Sequence, residues 1–552
     1  MWPVTARTVL THVLVAFLAL VVGWGWSFSS PIASAPDDDF HLASIWCPPP
    51  VESSGCGWQA APNGKAKTVT VPRAVAESAA CYAHDSATSG SCTDRIGTDL
   101  VQTTRFDYGL YPGLYYRIMH VLVTSHITSA VLTMRMVNVL IAVLMLVGVS
   151  LVASARLRPI IGVGVLGSVV PLGLFTIAST NPSSWAFSGI AATAVGLLVA
   201  LDAETWPRRG VAAGIGVLGA VLAAMARTDS AVFLAVILLS VAVLHFQKLL
   251  RSPWIWPVLG VVALAGIWAS QHGSQSTLNE FGSHSTLNRL QLFEYNALEV
   301  ASIPIGIFGT WALGWLDTPM PASVHVSALV AAAIVTAVGL TSMSWRKAVA
   351  VALPVFAAVA LPLYVLNRVG DFVGTQVQPR YVLPAVMITL IVLMLDRSTQ
   401  RAVQPSTAQA AVVWGLLTLA QGVALWAEIR RYTTGLDVFV MNPDNGVEWW
   451  WAAGPHPLAT LVITSLAFSA LLGLVLGQSR GVRTRGHEVS ASMTSGAVAV
   501  AVADPTLSSQ EVSVAESEQP EGLGKQTVTD LSLPLRATEI FPGGGERSRM
   551  LG

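Results

Sequence analysis

Apolar runs of about 17–22 residues recur along this chain, with short polar connections between most of them. A run of that length crosses a bilayer as an α-helix, since about 20 residues at 1.5 Å each match the hydrocarbon thickness. The first covers 8–28 (TVLTHVLVAFLALVVGWGWSF). Others fall at about 131–154, 159–179, 184–201, 210–226, 229–247, 254–270, 322–343, 348–366, 381–396, 409–427 and 457–477. The pattern predicts an all-α polytopic membrane protein with about twelve transmembrane helices. Ala33-Ser34-Ala35 mimics a signal-peptidase site, but the first apolar core is long for a signal peptide and Pro36 follows the cut. The first helix is therefore expected to be retained.

Polar stretches divide the rest. Residues 29–111 form a large loop with Gly, Ser, Pro and all four cysteines. Residues 112–128 (PGLYYRIMHVLVTSHIT) are amphipathic and predict an interfacial helix. Residues 271–321 begin polar and end apolar, and a crossing there breaks the alternation of sides, so a re-entrant region is expected. The Trp449-Trp450-Trp451 cluster predicts interface anchoring. The membrane domain is placed at 1–477. Residues 478–552, rich in Ser, Glu, Gln, Gly and Pro, are expected to be a disordered cytoplasmic tail.

Orientation follows from Arg and Lys asymmetry. Arg156 and Arg158, Arg208 and Arg209, then Lys248 and Arg251 occupy every second connection. Those turns are predicted to be cytoplasmic, with both termini, and the cysteine loop extracytoplasmic. Four clustered cysteines allow three connectivities and suit an oxidising compartment. The local pairing Cys47–Cys56 with Cys81–Cys92 is expected.

Composition agrees: 53% of the 552 residues are hydrophobic and 11% charged, with a net charge of zero. No bulk field favours nucleic acid. The chain has no P-loop, no Rossmann glycine pattern, no HExxH and no GxSxG.

Candidate chemistry sits just after the first helix, at Pro36-Asp37-Asp38-Asp39-Phe40-His41. Adjacent carboxylates in a partly dry site raise one another's pKa, which suits a general base. His41 shares a face with Asp38 if the stretch is helical. The plainer role is a helix N-cap. Asp37 and Asp39 could also hold a divalent metal such as Mg or Mn. A second constellation is the set Arg105, Arg117, Arg227, Arg289, Arg368 and Arg380, near predicted external ends of spans. Arginine pairs bidentately with phosphate. Arg380, within Gln378-Pro379-Arg380-Tyr381, stands at the mouth of a span. Arg135, beside Asn138 inside a span, has to face protein or a cavity.

Four segments carry a resemblance. Pro36-Asp37-Asp38-xx-His41 resembles the Pro-Asp-Glu-xx-His signature of the bacterial membrane family known as domain of unknown function 2142. Tyr111-Pro112-Gly113-Leu114-Tyr115-Tyr116 resembles its Tyr-Pro-Pro-x-Tyr-Tyr segment. Gly314-Trp315-Leu316-Asp317-Thr318-Pro319-Met320-Pro321 is similar to its Gly-Trp-Leu-Asp-Thr-Pro-Leu-Pro loop. Gln376 to Pro384 resembles its Gln-Gly-Arg-Tyr-Phe-Leu-Pro segment, with Pro379 in place of Gly. The family in turn resembles C-type-fold (GT-C) membrane glycosyltransferases, which use polyprenyl-phosphate-linked sugars and a carboxylate in the first external loop. The resemblance implies a GT-C-like hexosyl- or pentosyltransferase at the outer face of the bacterial cytoplasmic membrane. It would act on an envelope glycan, glycolipid or protein. Asp37 or Asp38 would be the base and Arg380 the phosphate partner. His41, Gln378, Tyr115, Tyr116, Trp315 and Asp317 would bind substrate or phosphate. The alternatives are a transporter or flippase of an envelope lipid or glycan precursor, and a non-catalytic assembly partner.

Overall fold

The computed structural model describes residues 6–60, 67–272, 285–375, 377–396 and 403–477. The expected tail and Gln376 lie outside them. Among the described residues nine helices are long and apolar enough to cross a membrane: Ala6–Phe28 (α1), Ile127–Val152, Ser183–Asp202, Trp206–Ala226, Ser230–Leu250, Ala322–Leu340, Trp345–Val369, Thr407–Thr433 and Pro457–Gly477. The apolar helices Ile255–Gln271 and Leu383–Leu393 are shorter.

Helix Ser183–Asp202 is the innermost, buried along its whole apolar length. Its small residues allow the neighbouring helix Trp206–Ala226 to approach closely, and Thr193 Oγ1 donates to the Gly216 carbonyl at 3.0 Å.

The run 159–179, expected as one helix, is not continuous. That run is broken into a π-helical turn, Ile160–Val165, and a short helix, Leu172–Ile177. Pro171 cannot donate an N–H, and Gly164 lets the backbone lie against Ile391 of helix Leu383–Leu393. Broken backbone at membrane depth has to be enclosed by protein, and residues 160–165 are all buried.

The cysteine loop is a folded layer on one face of the bundle, termed the loop face below. Both local disulfides, Cys47–Cys56 and Cys81–Cys92, are formed. The layer contains the helices Asp38–Trp46 (α2) and Arg73–Tyr82 (α3). It also holds a three-stranded antiparallel sheet of β1 (Gln59–Ala60), β2 (Lys67–Pro72) and β3 (Leu100–Thr103). The all-α expectation is thus corrected locally. The β-branched run Thr68-Val69-Thr70-Val71 suits a pleated strand, and both valines are buried.

Residues 112–128 hold one short helix, Leu114–His120 (α4), before the span Ile127–Val152 (α5) begins. Tyr115, Tyr116 and Met119 of α4 are fully buried, while Val121 is exposed. The described part of 271–321 contains helices Arg289–Glu299 and Ser302–Ile305, a π-helical turn at Gly306–Thr310 and a tight hairpin bridged at Leu313 and Thr318. The tryptophan cluster is corrected from interface to interior at Trp449 and Trp451, which are both buried.

What joins these layers is the irregular segment after α1. Ser29-Ser30-Pro31 follows the end of α1, and the chain from Ser29 to Ala35 runs buried without regular secondary structure, beside the last helical carbonyls of Ser27 and Phe28. Backbone carbonyls so placed need partners. Arg135 of α5 supplies three: Nη1 donates to Ser27 O (3.0 Å) and Ser30 O (2.7 Å), and Nη2 to Pro31 O (2.6 Å). Phe28 O accepts from Trp451 Nε1, Ile32 O from the Tyr82 hydroxyl and Ala33 O from Trp315 Nε1. Pro36 O accepts from Asn181 Nδ2 and Arg380 Nη1.

Arg135→Met takes the donor from three buried carbonyls, at about 1–3 kcal/mol each. The thermal midpoint of the purified protein, read by tryptophan fluorescence, is expected to fall clearly while helical circular dichroism is retained. A wild-type midpoint contradicts the clamp.

Candidate active site

The suspended segment delivers Asp37 in a left-handed conformation (φ 64°) at the start of α2. Asp38 and Asp39 fill the first turn, where carboxylates complement the helix dipole. The Asp37 side chain makes no capping hydrogen bond. Its carboxylate turns to Arg380: Nη2 donates to Oδ2 at 2.5 Å, and Nη1 holds the preceding carbonyl, Pro36 O, at 2.8 Å. Arg105 Nη2 lies 3.6 Å from the other Asp37 oxygen. The Asp37 side chain is 39% exposed and that of Arg380 only 4%.

Arg380 projects from a 3-10 turn, Pro379–Tyr381, that opens helix Leu383–Leu393. Its guanidinium lies 5.1 Å from the Tyr381 ring, and Arg227 stacks on Tyr381 from 5.0 Å and on Tyr111 from 5.8 Å. Arg227 is itself paired with Asp229 at 2.8 Å. The Nε of Arg380 is buried with no hydrogen-bond partner among the described residues. A small cavity of about 20 Å³ borders Pro36, Thr176, Trp311, Gln378 and Arg380.

The two leading carboxylates differ sharply. Burial pushes Asp37 upward, but Arg380 outweighs it with help from Arg105, so Asp37 stays ionised below its usual range. Asp38 is fully buried, and burial raises its carboxyl to about 7, which Arg135 and the Thr180 hydroxyl only partly oppose. Its Oδ2 accepts from Ala35 N at 3.3 Å and so closes the turn before α2.

Other expected site residues lie deeper. Nδ1 of His41 meets the Tyr116 hydroxyl at 2.9 Å, and burial drives His41 down to about 3 against the pull of Asp37. It is a neutral interior group. The Tyr115 hydroxyl donates to Thr180 O at 2.7 Å. Tyr115 and Tyr116 are fully buried and fix α4 beneath α2, so neither presents a surface to substrate. Trp315 is half-buried on the hairpin, and Asp317 pairs with buried Arg431 at 2.9 Å.

The donor set does not fit a divalent cation. Asp39 is taken bidentately by Arg105 (2.8 and 2.9 Å) and Asp37 by Arg380. Among the described residues no three His, Cys, Asp or Glu side chains converge.

Of the sequence-selected arginines, Arg105 and Arg380 meet at Asp37, Arg227 stacks on the Tyr381 ring that Arg380 also faces, and Arg117 bonds Pro49 O. Among the described residues, Arg289 and Arg368 make no ion pair with the cluster. Sequence reasoning missed Tyr381, whose adjacency to Arg380 was a usable signal. It also missed Arg431, which ties the hairpin to Tyr82 O, Asp85 O and Thr88 O of the disulfide layer. Arg431 follows the predicted end of a span and reads as a loop charge.

Stacked apolar helices and a polar site on one face define a polytopic membrane protein. The chain belongs to the DUF2142 family of predicted membrane proteins, whose model matches residues 20–389 and so includes Asp37, Trp315 and Arg380. No curated protein and no solved structure matches the chain significantly.

The folded Asp38 binds its proton more tightly than the unfolded chain, whose carboxyl titrates near 3.8. Its contribution is full below that value and is lost as pH rises towards about 7. Asp38→Asn is therefore expected to raise the thermal midpoint relative to wild type more at about pH 8 than at about pH 5. Equal differences at both pH values contradict the buried carboxyl.

Proposed function

We propose that the protein is an inverting membrane glycosyltransferase. It moves a hexosyl or pentosyl group from a polyprenyl-phosphate donor to a cell-envelope hydroxyl on the outer face of the bacterial cytoplasmic membrane. The observation that carries this reading is the contact between Asp37 and Arg380, 343 residues apart in sequence. It sets an accessible carboxylate against a nearly enclosed guanidinium where the loop layer meets the bundle.

A lipid-borne donor needs a place for its chain. An apolar groove with about 1040 Å³ of space, part of it open, runs between α1, α5, the broken segment and helix Pro457–Gly477. Its lining passes from His12, Ser150 and Arg158 at one end to Leu174 and Ile177 at the other. The short helix carrying Leu174 also lines the Arg380 cavity through Leu172, Phe175 and Thr176. A chain in the groove would thus leave its phosphate near Arg380.

In the reaction, Asp37 accepts the proton of the acceptor hydroxyl, and the oxygen attacks the anomeric carbon. The bond to the phosphate oxygen breaks on the opposite side, which inverts the centre and releases polyprenyl phosphate. Arg380 stabilises the charge that develops on that phosphate. Phosphate binding draws Arg380 away from Asp37, and the less neutralised carboxylate becomes a stronger base.

The alternative is a transporter or flippase of an envelope lipid or glycan precursor, and it draws on the broken segment Ile160–Val165 and Leu172–Ile177. It predicts lipid movement without sugar transfer.

Radiolabelled sugar transfer from polyprenyl-phosphate donors in membranes separates the two. Asp37→Asn and Arg380→Ala are expected to lose at least about 100-fold in transfer. Full transfer by both variants, with the protein stably made, overturns the assignment.

A further inference from the structure

We propose that the cleft between His84 and Trp315 is the acceptor subsite and that it binds a saccharide by ring stacking; this rests on the transferase reading. The cleft, with about 680 Å³ of space, is open on the loop face and is lined by His84, Ser86, Trp315, Leu316 and Asp317. It shares Ala312 and Leu316 with the smaller cavity beside Pro36 and Arg380. The hairpin bridged at Leu313 and Thr318 therefore stands between the Arg380 side and the outer cleft.

Backbone strain points to the same place. Among the described residues four non-glycine residues have positive φ: Ala33 (65°), Asp37 (64°), His84 (66°) and Leu316 (61°). Such conformations are strained and persist where the surroundings impose them. All four border this neighbourhood. Asp37 pairs with Arg380, and Ala33 O accepts from Trp315 Nε1 at 2.9 Å. The His84 ring meets the Trp315 ring edge-to-face at 5.6 Å, and Leu316 is next in the chain. Leu316 stays 38% exposed, so burial does little to offset its strain. The frame that imposes these conformations is buried: Asp317 accepts from His84 N at 3.1 Å and from Arg431 at 2.9 Å.

The lining selects the ligand. Among the described residues no Lys or Arg lines the cleft, and Asp317 is already neutralised by Arg431, so the described lining offers no counter-ion for a phosphate. A half-buried indole beside an exposed imidazole offers flat apolar area, and Ser86 and His84 add hydrogen-bonding groups. A sugar ring has that dual character, with C–H groups on its faces and hydroxyls on its rim. An acceptor stacked there lies on the far side of the hairpin from the arginine that would hold the donor phosphate.

The test is saturation-transfer NMR on the full chain in nanodiscs without donor. The probes are methyl α-mannopyranoside, methyl β-galactopyranoside, methyl α-arabinofuranoside and cellobiose. Wild type is expected to saturate at least one probe. His84→Gly keeps the left-handed backbone and the N–H to Asp317 but removes the ring, and is expected to cut the signal about tenfold. Trp315→Ala is expected to do the same, and Trp315→Phe to retain most of it. If Trp315→Ala does not fold, His84→Gly decides alone. The proposal is overturned if wild type saturates no probe, or if His84→Gly binds like wild type. Sugar binding without any transfer removes the transferase reading and leaves the saccharide site; transfer that survives His84→Gly with no sugar binding removes the subsite alone.

Discussion

The structure depends on satisfying the backbone where α1 ends and the chain runs on to Pro36. This stretch leaves a membrane helix and stays buried without joining another helix or a sheet. In such a place an unpaired carbonyl is costly, so each one needs a donor from elsewhere. Arg135, Trp451, Tyr82, Trp315, Asn181 and Arg380 provide donors to the carbonyls of Ser27, Phe28, Ser30, Pro31, Ile32, Ala33 and Pro36, and they come from six separate parts of the chain. The same bonds that hold the segment therefore also bring those parts together. Asp37 sits at its end, and its position is a result of that assembly.

The neighbouring carboxylates then divide by environment. Asp38 faces inward, is fully buried and is raised to about 7. Asp37 is partly exposed and stays ionised because Arg380 opposes the effect of burial. One residue of difference decides between a group that braces the turn and a group that can meet a substrate. Arg380 serves both the backbone at Pro36 and the carboxylate at Asp37, so any anion that competes for it changes the charge balance at Asp37.

Much of this was legible in the sequence. Hydropathy located the long spans because 20-residue apolar runs have few other uses. The local disulfides match the expected pairing, and the family motifs single out both Asp37 and Arg380. Other features were not legible. The run 159–179 has the length and hydropathy of a span, and only its glycines and Pro171 hint that it breaks. The sheet strand at 67–72 is short, and its partner lies about thirty residues on. Tyr115, Tyr116 and His41 have the polar tips expected of a binding site, yet those tips satisfy one another and nearby carbonyls inside the fold. Arg431 is a surface charge by sequence and a buried tie by structure, because its partners Asp317 and Tyr82 O are far away along the chain.

The central claim is that Asp37 and a donor phosphate share Arg380. Binding of polyprenyl phosphate to the protein in nanodiscs tests it most directly, with wild type, Asp37→Asn and Arg380→Ala compared. The account predicts binding at least about tenfold weaker in Arg380→Ala, since a charge-assisted pair is lost. It predicts binding equal to or tighter than wild type in Asp37→Asn, which frees Arg380. Equal affinity in all three proteins would contradict it.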